Sequence, residues 1–321
     1  DGTVVPCEEK YTTGMQLQKE LDVESDALDD NYTPYQIEFP LDAGCRKKIS
    51  IVCTIEDVYE KDAFATAAAE MARFDALEKK AGYHDELAET LTIAADHFLA
   101  YRQSTGLMTV LAGLPWFTDW GRDTMIALTG LTLSTGRYQD ARDILTTFAR
   151  YVHHGMVPNM FPDEGTAPLY NTADASMWYF YAVGKYLDYT GTPEDYAFVQ
   201  ETIYPKLKEI IAAYEHGTDF SIYMEEDGLI HAGSGLDQVT WMDVRVGDWV
   251  ATPRHGKPVE INALWYHALC LMEEWATRFG EDGSHYAALA AHAKESFAKE
   301  FWNEKDGCLY DVVDGLEGDA N

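Results

Sequence analysis

From about residue 85 onward, apolar residues recur at helical spacing. Ala141, Ile144, Leu145, Phe148 and Val152 form one stripe, Met177, Phe180, Tyr181, Gly184 and Leu187 a second, and Tyr286, Leu289, Ala293 and Phe297 a third. Apolar positions three and four residues apart lie along one face of an α-helix, and each such face needs a neighbouring helix to cover it. The pattern predicts about seven long helices stacked as hairpins. Thr192 with Pro193 reads as an N-cap followed by proline at the first helical position, Ser284 as another N-cap, and Gly136 and Gly217 as helix stops. Pro205 breaks or restarts the helix it falls in.

The first 58 residues read differently. Tyr35–Pro40 and Lys48–Thr54 are short β-prone runs, separated by Gly, Asp and Pro, and suggest the end of a β-rich domain. An Ala-, Glu- and Lys-rich stretch from Lys61 to Gly82 predicts a connecting helix. The expected division is therefore a β-rich remnant over 1–58, a linker helix over 59–83 and a mainly helical domain over 84–321. Small β-prone pieces at Leu107–Ala112, Ser221–Ile230 and Cys308–Val313 interrupt the helices. The long loops hold most of the Trp, Gly, Asp and Asn residues, which is where a helical scaffold builds a site.

Composition narrows the function. With 46% hydrophobic residues the chain can bury a core, and a formal charge of -31 disfavours nucleic acid or an anionic membrane as partner. A neutral or cationic ligand fits better. The five cysteines are scattered without CxxC pairs, and no apolar run approaches the roughly 20 residues of a membrane span. A cytoplasmic location is expected. HExxH, GxSxG and P-loop patterns are missing from the sequence, and the adjacent His153 and His154 cannot share a helix face. No catalytic metal or cofactor is expected.

Three segments carry the chemistry. In the first, Trp116 and Trp120 offer apolar walls for the flat faces of sugar rings, while Asp119, Arg122 and Asp123 can make charge-assisted hydrogen bonds to hydroxyls. The same residues could instead be a helix cap, an internal ion pair and two core indoles. In the second, Asn171 and Asp174 fall one turn apart at the start of an aromatic-rich helix and could address one ligand, with Tyr170 beside them. Asn171 could equally cap that helix, and Tyr170 only pack. In the third, Asp243 lies two residues from Trp241 and Glu260 follows in the next helical pattern, beside Asn262. A carboxyl group beside indole can be kept protonated by desolvation, as a general acid requires. Asp243 and Glu260 are the two catalytic candidates, because glycoside hydrolysis usually takes two carboxyl groups, which stand roughly 6.5–9.5 Å apart where the reaction inverts and the second activates water.

At LPWFTDWGRDTMIAL, GMVPNMFPDEGTAPLYNTADASMWY and TWMDVRVGDWVATPRHGKPVEINALWY the sequence resembles the amylo-α-1,6-glucosidase domain of glycogen debranching enzymes, glycoside hydrolase family 133. The resemblance implies an (α/α)6 toroid preceded by a β-sandwich domain. It also implies inverting hydrolysis of the α-1,6-linked glucose stub at a glycogen or limit-dextrin branch point. By the same carry-over Asp243 matches the general acid, and Arg122, Asp123, Trp116 and Trp120 match positions holding the terminal glucose. Asn171, Asp174, Glu260 and Asn262 fall on similar motif positions. The chain supplies about seven of the twelve helices of such a ring, and the family's general base lies beyond residue 321. A fragment is therefore expected, with the remaining part of the enzyme as a possible second polypeptide partner beside the α-glucan. The alternatives are another α-glucosidase on the same toroid, trehalase-like or oligosaccharide-processing, and a non-catalytic glucan-binding fragment.

Overall fold

The structure, a computed structural model, describes residues 2–21, 27–55, 57–113, 117–161 and 167–315. Trp116 therefore lies outside the described residues. The chain divides into two compact units, Asp1–Glu70 and Met71–Asn321.

In the first unit, β1 (Thr3–Gln16) and β2 (Leu28–Glu38) pair antiparallel from Thr3 opposite Glu38 to Gln16 opposite Leu28, with α1 (Gln18–Leu21) after β1. Tyr11 and Tyr32 face each other across the ladder with ring centroids 5.1 Å apart. The expected strand at Tyr35–Pro40 is the end of β2, whereas Lys48–Thr54 forms no strand. Helix α2 (Ala63–Ala81) fills the stretch read as a connecting helix, and the boundary between the two units falls inside it.

The second unit is mainly helical. Helix α3 (Glu86–Asp96) is capped by Asp85, whose carboxylate accepts from the Leu87 and Ala88 amides. A hairpin of β3 (Leu99–Arg102) and β4 (Leu107–Val110) leads to α4 (Gly121–Leu128), which continues as a π-helical turn over Thr129–Leu133. Helices α5 (Tyr138–Arg150), α6 (Asp174–Tyr189), α7 (Pro193–Phe198) and α8 (Tyr204–His216) follow. Short paired strands come next: β5 (Tyr223–Met224) with β6 (Ile230–His231), and β7 (Arg245–Val246) with β8 (Trp249–Val250). After β9 (Lys257–Pro258) come α9 (Val259–Arg278), α10 (Ser284–Glu300), β10 (Trp302–Asn303), β11 (Cys308–Leu309) and β12 (Val312–Val313). β12 pairs with β9, which returns the chain to the start of α9.

The local signals account for these boundaries. Thr192 and Asp195 form a reciprocal capping box ahead of Pro193. A π-helical turn over Val199–Ile203 separates α7 from α8, where Pro205 sits in the first turn and has no N–H to lose. Gly217 ends α8. The stripe on α5 is fully buried at Ala141, Ile144, Leu145 and Phe148, and Met177, Phe180 and Leu187 on α6 join the same core with Trp265 and Trp275 of α9. Asn171 departs from expectation: α6 begins at Asp174, so Asn171 precedes the helix instead of sharing its first turn.

Candidate active site

Among the carboxylates in helix first turns are Asp123 on α4, Asp174 on α6 and Glu260 on α9. The unpaired N–H groups of a helix N-terminus favour an anion there. Helix α6 packs against both α4 and α9, so this chemistry gathers at one end of the bundle.

Arg122 joins it together. Its Nε donates to Asp174 Oδ2 at 2.6 Å and its Nη2 to Asp174 Oδ1 at 3.2 Å, a two-pronged bond. Its Nη1 donates to Asp243 Oδ2 at 3.1 Å, and Nη2 also to the Thr240 carbonyl at 3.0 Å. Burial weighs against the Arg122 charge, but Asp174 and then Asp243 outweigh it and hold the guanidinium above its usual value. Burial pushes the Asp174 carboxyl upward too; Arg122 pulls it back, and the negative charge of Glu260 adds to the rise. The guanidinium keeps its proton at any ordinary pH, so its bonds offset part of the cost of burying Asp174. Asp243 is 28% exposed and borders the opening.

Ala112, Phe117, Trp120, Arg122, Asp123 and Asp243 line a cavity of about 220 Å³. That is smaller than the roughly 300–1,000 Å³ of drug-sized ligand sites and suits a single small ring. Phe117 and Trp120 meet edge to face with centroids 6.3 Å apart and form its aromatic wall. A wider hollow of about 630 Å³ lies beside His153, His154, Glu209 and Asp219. Its His154–Asp219 pair is 62% and 57% exposed, so it lacks the desolvated, mutually oriented charges of the Arg122 cleft.

Not every candidate reaches the cleft. Asp119 is fully buried, and its carboxylate accepts from Arg102 and from Thr109 Oγ1 at 2.8 Å. It anchors the β3–β4 hairpin beneath the site and does not face a ligand. Asn262, also fully buried, accepts the Ile230 amide at 2.6 Å and donates to the carbonyls of Ile230 and Pro258. Its amide is committed to backbone. Tyr170 donates to the Tyr151 carbonyl at 2.8 Å, and Asn171 is half-buried. Trp241, two residues before Asp243, is exposed and does not shield that carboxylate from water as its position in the sequence suggested; Asp243 is bonded by Arg122 instead.

Glu260 has a second tie that its position alone did not reveal. Arg254, whose side chain is 2% exposed, donates to Glu260 at 2.5 and 2.7 Å and to Asp311 at 2.8 and 2.7 Å. Burial weighs on its charge, but Glu260 and Asp311 more than compensate and raise its pKa. The signal available beforehand was only an arginine six residues ahead of a carboxylate, and Asp311 is 57 residues away.

A profile of the amylo-alpha-1,6-glucosidase family matches residues 93–320. The chain belongs to that family. The match takes in Asp119, Trp120, Arg122, Asp123, Asp174, Asp243 and Glu260. The glycogen debranching enzyme of Saccharomyces cerevisiae is 28% identical over an alignment covering 60% of this chain and 16% of the yeast protein. The chain thus spans a small part of that relative's length. A GH78 family rhamnosidase of Bacillus sp. GL1 overlays 73% of this chain and 22% of its own at a TM-score of 0.49 and 15% identity. Among the described residues, no helix is long and apolar enough to cross a membrane.

Proposed function

We propose that this chain holds the glucose-binding and proton-donating part of an amylo-α-1,6-glucosidase, which removes single α-1,6-linked glucose stubs from glycogen or limit dextrin with inversion. The observation that carries the reading is Arg122 held between Asp174 and Asp243 at the edge of a cavity walled by Trp120. A neutral sugar needs an aromatic face for its C–H surface and fixed charges for its hydroxyls, and both stand here on neighbouring helix ends. In this reading Trp120, Arg122 and Asp123 hold the terminal glucose, and the family resemblance adds Trp116 and Asn171 to the same task. Asp174 fixes Arg122 in place.

Asp243 is the general acid. It donates its proton to the glycosidic oxygen as the C1–O bond breaks, the glucan chain leaves as a free hydroxyl, and a water adds to C1 from the opposite face after a second carboxylate takes its proton. Glu260, clamped by Arg254, supports the negative field around Asp174. The water-activating carboxylate is expected downstream of residue 321, as the family resemblance implies. The fold assigned with this function is an (α/α)6 toroid in which α4, α6 and α9 belong to the inner ring, following a β-rich domain over 1–58 and a linker over 59–83.

The test is glucose release from phosphorylase limit dextrin by the intact protein. Asp243→Asn is expected to lower kcat by at least about 10²-fold with little change in KM. Full activity in that variant would remove Asp243 from the acid role, and cleavage of trehalose with none of limit dextrin would replace the substrate.

A further inference from the structure

The chain leaving Asp243 runs directly into an exposed hairpin of β7 and β8. Val246 and Trp249 pair directly across β7 and β8, around a two-residue turn whose Gly247 has φ of 60°. That positive φ at the first turn position is the geometry a tight hairpin favours and glycine adopts at least cost. Side chains alternate along each strand, so Val244, Val246 and Trp249 share one face, and the Ala251 amide bonds the Val244 carbonyl to extend the pairing. These three are 59%, 65% and 62% exposed, and Trp241, two residues ahead of Asp243, is 54% exposed. On the other face Val250 is half-buried, and Arg245 donates back to the Gly247 carbonyl at 2.7 Å. The hairpin is braced from behind and apolar in front.

We propose that this outer face, with Trp249 at its centre, is a platform for the glucan chain that departs when the bond is cut, a linear run of α-1,4-linked glucose. The proposal rests on the assignment of Asp243 as general acid. A general acid lies within hydrogen-bond reach, about 3 Å, of the oxygen it protonates, so the leaving chain starts beside Asp243. Val246 is three residues on, at most about 10 Å along the backbone, and Trp249 stands opposite it. The residues that alternation puts on this face, Val244, Val246, Trp249 and Ala251, are uncharged and belong to a strongly acidic chain, which favours a neutral ligand. Indole offers a flat surface to the C–H faces of successive pyranose rings. Recognition of the main chain by Trp249 then separates a branch stub on a polymer from a short α-1,6 disaccharide.

The experiment is calorimetric titration of the 321-residue chain with linear maltoheptaose and, separately, with D-glucose. Trp249→Ala is expected to weaken maltoheptaose binding roughly tenfold, leave D-glucose binding unchanged, and leave the melting temperature unchanged because the indole is exposed. Trp249→Tyr restores most of the loss, which separates a lost stacking surface from a damaged hairpin. Maltoheptaose affinity unchanged in Trp249→Ala, or no maltoheptaose binding by the parent chain, overturns the platform. So does a variant whose only change is the loss of self-association in light scattering. If Trp249→Ala abolishes maltoheptaose binding while the intact protein releases no glucose from limit dextrin, the glucosidase reading fails and the glucan platform stands.

Discussion

Gly121 opens α4 immediately before Arg122, and a side chain there tests whether the close approach of α4 to the 158–159 segment positions the cleft. A Cβ on Gly121 would lie 2.1 Å from the Pro158 carbonyl oxygen, about 1.3 Å short of ordinary van der Waals contact. The obstacle is backbone and cannot swing aside. Pro158 has its φ fixed by its ring, and the next residue is fastened twice: Asn159 accepts the Gly121 amide at 2.8 Å and donates to the Leu169 carbonyl at 2.7 Å. Helix α4 must therefore give way, and Arg122 moves with it. A shift of about 1 Å stretches the 2.6 and 3.2 Å bonds to Asp174 beyond useful geometry.

Overpacking costs about 1–3 kcal/mol and the strained Gly121–Asn159 bond about 1 kcal/mol, against a gain of about 0.5–1 kcal/mol for alanine over glycine in a helix. Gly121→Ala is thus expected to lose about 1–3 kcal/mol, a fall in Tm of about 3–10 °C for a unit of this size. Glucose release from limit dextrin by the intact protein should fall about 10²-fold, as a misplacement of about 1 Å does. Gly130→Ala is the control: it lies in the continuation of α4 with nothing within 4 Å of the new Cβ, so it should be neutral or slightly stabilising. A Gly121→Ala protein with unchanged Tm and glucose release within about twofold of the parent would refute the link between this contact and Arg122.

Further outcomes follow from the buried polar groups. Arg254→Met leaves Glu260 and Asp311 facing each other without their shared cation; since they are 26% and 43% exposed and recover some hydration, the loss in chemical denaturation should be about 2–3 kcal/mol, below that of a fully buried pair. Asn262→Ala strands the Ile230 amide and two carbonyls and should cost about 2–4 kcal/mol in the same assay, with D-glucose binding retained. Asp96 is pushed up by burial but pulled down further by Arg73 and Arg137, for a net lowering. Its contribution is therefore complete above the unfolded carboxylate value and is lost as pH falls through the lower folded value. The Tm deficit of Asp96→Asn, read by scanning calorimetry, should be full at pH 7 and close below about pH 4.

Much of the helical unit was legible because its information is local. The stripes on α5 and α6 need only a period of 3.6, and the Thr192–Pro193 start needs only four residues, which is why a capping box stands there. Of the β1–β2 ladder only the end of β2, from Tyr35, was legible, for the opposite reason. All of β2 is exposed, so no buried face imposes an alternating pattern, and the pairing is carried by main-chain bonds that leave little trace in side-chain type. The cleft divides along the same line. Arg122, Asp123 and Asp243 were read from motif chemistry, and the Arg122 bonds bring Asp174 and Asp243 together from 52 and 121 residues away. Asp119 and Asn262 stand in the same motifs, yet an amide that can bind a hydroxyl can equally satisfy the backbone of Ile230, 32 residues distant, and only the fold decides between the two uses. A motif therefore marks where polar side chains concentrate, and burial separates those that face a ligand from those that hold the strands beneath it. Trp249 illustrates the converse: an indole left bare on a braced hairpin, one short strand from the candidate acid, makes most physical sense if its cover arrives with the substrate.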